Sequence, residues 1–304
     1  MSSPLPIYRV PDDAPAKTEA MGTKPKFWFS RDGAMWLFKA TRPQQGEHWA
    51  EVAAAHLGGM LGLPHAHYEV ARWRDTVGVV TPAFTSEGLD LVHGNELLAE
   101  RDPSYPSEGR RYIRTQQHTI EAVRAVVGDA RVGLPPHWEA PAGIDSAAGV
   151  FGGYLLLDAW IGNTDRHHAN WGLVVRQKAD VRYLAPTFDH ASSLGAHERD
   201  ATRSRRLESP DPGFQVEGYV RRSIVRSALY RDTADPRPLG LIDAFLAWRE
   251  HSACESWLDR LEAVSDEGVS EVLARIPPTE ASGPALAFAR AILRVNRRRI
   301  LEVR

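Results

Sequence analysis

The chain has 304 residues, 43% hydrophobic and 25% charged, with a formal net charge of −2, which is enough length and ordinary composition for one large domain or two lobes. The near-neutral balance supplies no basic field for direct nucleic-acid binding, and the single cysteine, Cys254, excludes a disulfide framework or a thiolate metal site. Asp158 interrupts the best apolar stretch short of membrane-spanning length and the N-terminal residues hold no apolar signal core, so a cytoplasmic protein without membrane association is expected.

Residues 1–23 are polar, rich in Pro, Ala and Asp, and read as a flexible tail. Two aromatic-rich runs, 25–30 and 34–39, flank Arg31-Asp32-Gly33, and an Asp-Gly pair between such runs predicts a β-hairpin. In its second strand the period of two puts Met35, Leu37 and Lys39 on one face. Only five of the 37 basic residues are lysines, and this one sits among apolar neighbours where an unpaired ammonium is expensive, so it needs an anionic partner. Residues 46–62 predict an amphipathic helix ended by Gly62, with Val52, Ala53, Leu57, Met60 and Leu61 as its buried stripe. Glu47 and Glu51 lie one turn apart on it, and either can reach Lys39. Strands are expected over 67–73 and 76–84; the second loses its pattern at Thr81-Pro82, where proline ends ladder pairing. Beyond residue 95 helices dominate, over 116–127, 239–248, 254–264, 270–276 and 285–303. Residues 128–145 read as a Gly- and Pro-rich loop, and 195–213 as a charged, solvated loop or a substrate platform.

The stretch from Ile161 to Trp171 organises the rest. An apolar run over 150–161 predicts a buried helix and hands on to two Asn, an Asp, an Arg and two His within residues 163–170. Asp165 and Asn170 have the D-x-x-x-x-N spacing of kinase catalytic loops, in which the Asp accepts the proton of an attacking hydroxyl and the Asn holds magnesium. A second hard oxygen ligand is then required, and Asp189 follows the short strand 181–184 in the position of a metal-binding aspartate. Residues 171–175 and 181–184 read as a hairpin turned at 177–180, which would bring Asn170 and Asp189 together. In that frame Lys39 is the lysine that pairs with ATP phosphates. Pro82, Ala83 and Phe84 mark the crossing between lobes, where adenine meets exposed backbone groups.

Residues 163–170, Asn-Thr-Asp-Arg-His-His-Ala-Asn, together with Phe188-Asp189-His190-Ala191-Ser192-Ser193-Leu194, resemble the catalytic loop and metal motif of the HipA-like serine/threonine kinases. The helix running through Glu51 into Gly62-Leu63-Pro64 extends the resemblance over roughly residues 35–195. It implies an α+β, two-lobed protein-kinase-like fold related to phosphatidylinositol 3-/4-kinases. That fold has a small antiparallel-sheet N-lobe, placed at 24–95, and a larger helical C-lobe at 96–304. It implies ATP and Mg2+, with Asp165 as catalytic base, Asn170 and Asp189 as metal ligands, and Lys39 on ATP with Glu51 rather than Glu47 as its partner. His167 would contact phosphate or brace the loop. Two departures stand out: no glycine-rich phosphate loop is legible before Lys39, and the chain is shorter than the family's toxins, as if lacking the subdomain that helps bind an antitoxin.

The expected function is therefore ATP-dependent transfer of a γ-phosphoryl group to a hydroxyl on Ser or Thr of a protein, with an antitoxin-like regulator as a candidate partner. The rival readings are a small-molecule or lipid kinase on the same fold and a nucleotide-binding pseudokinase that acts as a regulatory module. A metallohydrolase built on His167, His168, Asp189 and His190 ranks last, because adjacent histidines project in different directions.

Overall fold

The computed structural model describes residues 3–14, 17–18, 25–85, 88–106, 114–176, 179, 181–222, 226–249 and 252–304. Its N-terminal part is a six-stranded sheet of β1 (Tyr8–Val10), β2 (Lys17–Thr18), β3 (Lys26–Arg31), β4 (Ala34–Ala40), β5 (Glu69–Trp73) and β6 (Thr76–Pro82), in the order β1-β5-β6-β4-β3-β2. All pairings are antiparallel except β1 with β5. The β3–β4 hairpin turns at Asp32 and Gly33, whose φ values of 52° and 79° are the left-handed pair that an Asp-Gly turn supplies. Alternation divides the sheet cleanly. Val10, Phe27, Phe29, Phe38, Ala40, Ala71 and Val80 form a small core on one face. Lys39 pairs with Val79, and Val79 with Val70, on the other. Helix α1 (Glu47–Leu61) covers that second face, and both its charged and apolar sides are buried over most of its length.

Beyond β6 the chain enters a second sheet. Strand β7 (Asp90–His93) pairs with β9 (Gly172–Arg176), β9 with β10 (Val181–Leu184), and β10 with β8 (Val132–Gly133). The segment 90–93, expected within the small N-terminal lobe, thus belongs to the sheet that carries the β9–β10 hairpin; its four residues show no pattern that distinguishes one sheet from the other. The β9–β10 hairpin forms as expected, with Arg176 opposite Val181, and its turn at 177–180 lies largely outside the described residues. The helices of this part are α2 (Gly94–Arg101), which packs on β7 and β9, and α3 (Ile120–Val127), α4 (Ala147–Ile161), α5 (Asp200–Glu208), α6 (Val216–Val220), α7 (Leu241–Trp248), α8 (Ala253–Ala263), α9 (Asp266–Ala274) and α10 (Gly283–Leu301). Every residue of α4 is buried, so this apolar helix forms the axis of the helical part, lying against α7, α8 and α10. Ser146 caps its start and Gly162, in the left-handed conformation, ends it and turns the chain into the predicted catalytic loop. Among the described residues no helix is long and apolar enough to cross a membrane.

Two expectations are corrected. The tail predicted over 1–23 is structured where it is described around Leu5–Val10: Leu5 donates its N–H to the Arg275 carbonyl and β1 adds a parallel strand beside β5. A three-residue strand leaves almost no periodicity to read, and its partner is more than sixty residues away. The loop predicted over 195–213 contains α5, in which Arg203 and Arg206 are buried against Asp200 and Glu198. Its inward face is made of arginine stems, which a hydrophobic pattern does not register.

Candidate functional site

Four elements converge at the junction of the two sheets: β4 brings Lys39, α1 brings Glu51, the turn after α4 brings 163–170, and the chain leaving β10 brings 185–190. Lys39 Nζ lies 3.0 Å from Asp189 Oδ1 and 3.9 Å from Glu51 Oε2, with the Tyr68 ring centroid 5.9 Å away. Burial alone would lower the ammonium, but Asp189, then Tyr68 and Glu51, hold it above its ordinary value, so Lys39 stays charged. Asp189 has φ 61°, an uncommon conformation for a residue with a side chain. Its N–H donates to the Tyr68 hydroxyl at 3.3 Å. Burial and the nearby Glu51 push the Tyr68 phenol upward, so that hydroxyl is neutral. Glu51 is used twice, since Oε1 accepts the His190 N–H at 2.7 Å while Oε2 faces Lys39. Glu47 does something else: it binds the backbone N–H of Arg42 at 3.0 Å and the Arg42 guanidinium at 2.8 Å. The structure therefore sets Glu51 against Lys39 and uses Glu47 to fasten the chain entering α1.

The loop 163–170 is held by groups that the sequence reading did not single out. Asp158, on the last turn of α4, and Arg166 form a bidentate ion pair with both contacts at 2.8 Å, and Arg166 is 1% exposed. Asn163 donates to the same Asp158 carboxylate at 2.8 Å, and its Oδ1 accepts the Asp165 N–H. Arg166 Nη1 reaches the Asn170 carbonyl at 2.8 Å, and Nη2 reaches Thr187 Oγ1 at 2.9 Å and His190 Nε2 at 3.2 Å. The signal for this brace was present. A carboxylate inside an apolar helix has to find a cation, so Asp158 states the demand for a partner although nothing in its spacing names Arg166. Through His190, whose N–H binds Glu51, Arg166 ties the loop 163–170 to the Lys39 cluster.

With its main chain fixed in this way, Asp165 presents its carboxylate outward. Arg114 donates to the Thr164 carbonyl at 2.7 Å and stands 3.5 Å from Asp165 Oδ1. Asn170 donates its amide nitrogen to the Asp165 carbonyl at 2.8 Å, which leaves its side-chain oxygen as the group still able to coordinate. His167 accepts the Ala169 N–H on Nδ1, so its proton sits on Nε2, 3.9 Å from Asp165 Oδ2. Burial pushes His167 down to about 4, against the pull of Asp189 and with Arg114 and Arg166 adding to it, so the ring is neutral at pH 7. It can donate a hydrogen bond but carries no charge to a phosphate. His168 is turned away, against the Tyr105 hydroxyl at 2.9 Å.

At the crossing out of β6, Ala83 donates its N–H to the Met35 carbonyl at 2.8 Å, so this amide is engaged within the sheet rather than exposed. Pro82 has no N–H, and its carbonyl accepts the Thr81 hydroxyl at 3.3 Å. Phe84 stacks on Phe188, the residue before Asp189, with centroids 5.7 Å apart. Residues 19–24, which join β2 to β3 and include Gly22, lie outside the described residues.

Asn170 and Asp189 are both hard oxygen donors, the chemistry that magnesium requires. Among the described residues no three or more His, Cys, Asp or Glu gather as a metal cluster, and His168 and His190 are committed to Tyr105 and to Arg166 with Thr187, which removes the metallohydrolase reading.

A sheet with a buried Lys–Glu pair, joined to a helical part that carries an Asp-to-Asn loop and a strand-borne Asp, is a two-lobed, kinase-like α+β fold. No family model matches the chain, and no curated protein matches it. Solved structures do. The Helicobacter pylori proinflammatory kinase CtkA overlays with a TM-score of 0.75 at 19% identity, over 98% of this chain and 97% of that one. HipA of Shewanella oneidensis, solved as a toxin–antitoxin complex with HipB and operator DNA, overlays with a TM-score of 0.57 at 14% identity, over 94% of this chain and 67% of that one. At these identities the likeness is one of fold, and at that level the resemblance to HipA-like kinases is borne out.

Proposed function

We propose that this chain is an ATP-dependent kinase that transfers the γ-phosphoryl group to a hydroxyl, on Ser or Thr of a protein. The observation that carries this reading is the grip on Lys39: Asp189 at 3.0 Å and Glu51 at 3.9 Å, on a cluster tied through His190 and Arg166 to the loop bearing Asp165 and Asn170. Lys39, oriented by Glu51, would bind the α- and β-phosphates. Asp165 would accept the proton of the acceptor hydroxyl as its oxygen bonds to the γ-phosphorus and the bond to ADP breaks, a role worth roughly 10²–10⁴ in rate. Magnesium, held by Asn170 and Asp189, would screen the charge on the phosphates. His167 Nε2–H would steady the Asp165 carboxylate. Phe84, stacked on Phe188, would floor the adenine site beside Pro82 and Ala83.

An ATP-consuming enzyme draws its nucleotide from the cytoplasm, where we place it. The HipA neighbour was solved with HipB, and a regulator of that kind is a candidate partner here. ATP consumption and autophosphorylation, followed by mass spectrometry with magnesium, test the reading. Asp165→Ala and Asp189→Asn should each lose at least about 100-fold in turnover while remaining folded. Wild-type turnover in either variant refutes the assignment. Labelled-phosphate transfer separates a protein acceptor from a small molecule or lipid.

One observation favours a second reading. The Ala83 amide is engaged with Met35 rather than free for adenine, which suits a pseudokinase that binds nucleotide weakly and regulates without turnover. A magnesium–ATP thermal shift with no phosphate transfer under any acceptor would select it.

A further inference from the structure

Lined by none of Lys39, Glu51, Asp165, Asn170 or Asp189, a half-open cavity of about 380 Å3 lies in the helical part between the C-terminal half of α10, the start of α7, the end of α6 and Ala159 of α4. This volume falls in the range of small-molecule sites. Arg221, Arg222, Arg226 and Arg299 all line it. Several buried or partly buried guanidinium groups elsewhere in the chain pair with carboxylates, as in Arg31–Glu69 at 2.8 Å, Arg72–Glu280 at 2.6 Å, Arg203–Asp200 at 2.7 Å and Arg166–Asp158, whereas Arg222, Arg226 and Arg299 are half-buried and Arg221 is exposed at the rim. These four differ. Among the described residues none of them meets a carboxylate at ion-pair distance, although Asp243 and Glu302 also line the cavity. Their hydrogen bonds go to neutral acceptors: Arg226 to the Pro238 carbonyl at 2.9 Å, and Arg299 to the Val220 carbonyl and Asn296 Oδ1 at 3.5 and 3.4 Å. Burial, followed by the charge of Arg221, holds the Arg299 guanidinium below its usual value, against Asp243 and Glu302.

Four guanidinium groups against two carboxylates, Asp243 and Glu302, leave the cavity lining with an excess of positive charge that an anion would offset, and a planar donor fork suits phosphate oxygens in particular. We propose that this cavity binds a phosphate group, either as free inorganic phosphate or as the monoester of a small organic molecule, through Arg221, Arg222, Arg226 and Arg299. The site is separate from the kinase-like cleft and does not depend on the function proposed for it. It does adjoin the structure that supports the cleft: Asn296, which lines the cavity, donates to the Trp160 carbonyl at 3.1 Å, at the end of α4 just before the catalytic loop.

The test is calorimetric titration of the purified full chain, in low-salt buffer free of phosphate and sulfate, with inorganic phosphate, glucose 6-phosphate and glucose. Saturable binding of at least one phosphate probe is expected, with none for glucose. Equal affinity for the two phosphates makes the ligand free phosphate; tighter glucose 6-phosphate makes it an organic monoester. Arg299→Gln and Arg222→Gln should each weaken binding at least about tenfold, whereas Lys39→Met, in the cleft, should leave it within about twofold. A second readout guards against misfolding. Without phosphate, Arg222→Gln should melt at or above the wild-type temperature, because a like charge has been removed; with phosphate, the wild type should show the larger upward shift. No saturable binding of either phosphate, binding that survives both arginine substitutions, or binding lost in Lys39→Met would each overturn the proposal, the last by moving the phosphate into the cleft.

Discussion

Arg166 is where the fold and the proposed chemistry can be tested together. Its guanidinium is 1% exposed and makes two 2.8 Å bonds to Asp158, which is itself 2% exposed, so Arg166→Met strands a buried carboxylate. Removing one partner of a buried ion pair costs about 3–5 kcal/mol. Spread over a chain of this size, at about 2–4 °C per kcal/mol, the unfolding midpoint should fall by roughly 6–20 °C. Pairing that change with Asp158→Leu removes the stranded charge and should restore most of the loss, since apolar replacement of a buried pair is often neutral. Turnover should not return, because the Asn170 carbonyl, Thr187 and His190 still lack the donor that positions them. Thermal and denaturant unfolding give the stability terms, and ATP consumption gives the function. A single variant that loses less than about 1 kcal/mol, or a double variant with wild-type turnover, would refute the view of Arg166 as the brace of this site.

Acid should destabilise the fold over a defined window. Burial pushes His118 down to about 3, and His167 and His168 down to about 4, each from an ordinary value of 6.5. The unfolded chain takes up protons that the folded chain refuses, so the stability from these rings is complete above about pH 6.5 and is lost as pH falls towards 4 and 3. At about 1.4 kcal/mol per unit and per ring the combined effect is several kcal/mol, and a melting midpoint that does not drop between pH 7 and pH 5 would contradict it. Glu51→Gln should cut turnover sharply, whereas Glu47→Gln should lower the melting midpoint and leave turnover nearly intact; the reverse result would exchange their roles. Arg114→Ala, at a half-exposed side chain, should change stability by less than about 1 kcal/mol. It should also raise the acidic limb of the pH–rate profile, because Asp165 loses a nearby positive charge.

Several local features were legible because they are short-range. The Asp32-Gly33 hairpin, the helix ended by Gly62, the buried helix before residue 162 and the β9–β10 pairing all follow from neighbours within one element or one turn. Asp165, Asn170 and Asp189 stood out because their spacing and their strand-borne setting carry chemical meaning without any fold. Strand β1, the membership of residues 90–93 in the second sheet, and α5 with its inward arginines were not legible, because each is defined by a partner remote in sequence or by polar burial that leaves no apolar period.

The division between the two sources is physical. Order along the chain sets which residues are available, namely a strand lysine among apolar neighbours, two helix glutamates and a loop of oxygen-bearing side chains after an apolar helix. Only packing decides which of them meet. Glu51 rather than Glu47 faces Lys39 because Arg42 takes the other. Asp158 is a brace rather than a flaw because Arg166 folds back onto it. A buried charge must be answered within a few ångströms, and the sequence can state that demand without naming the group that answers it.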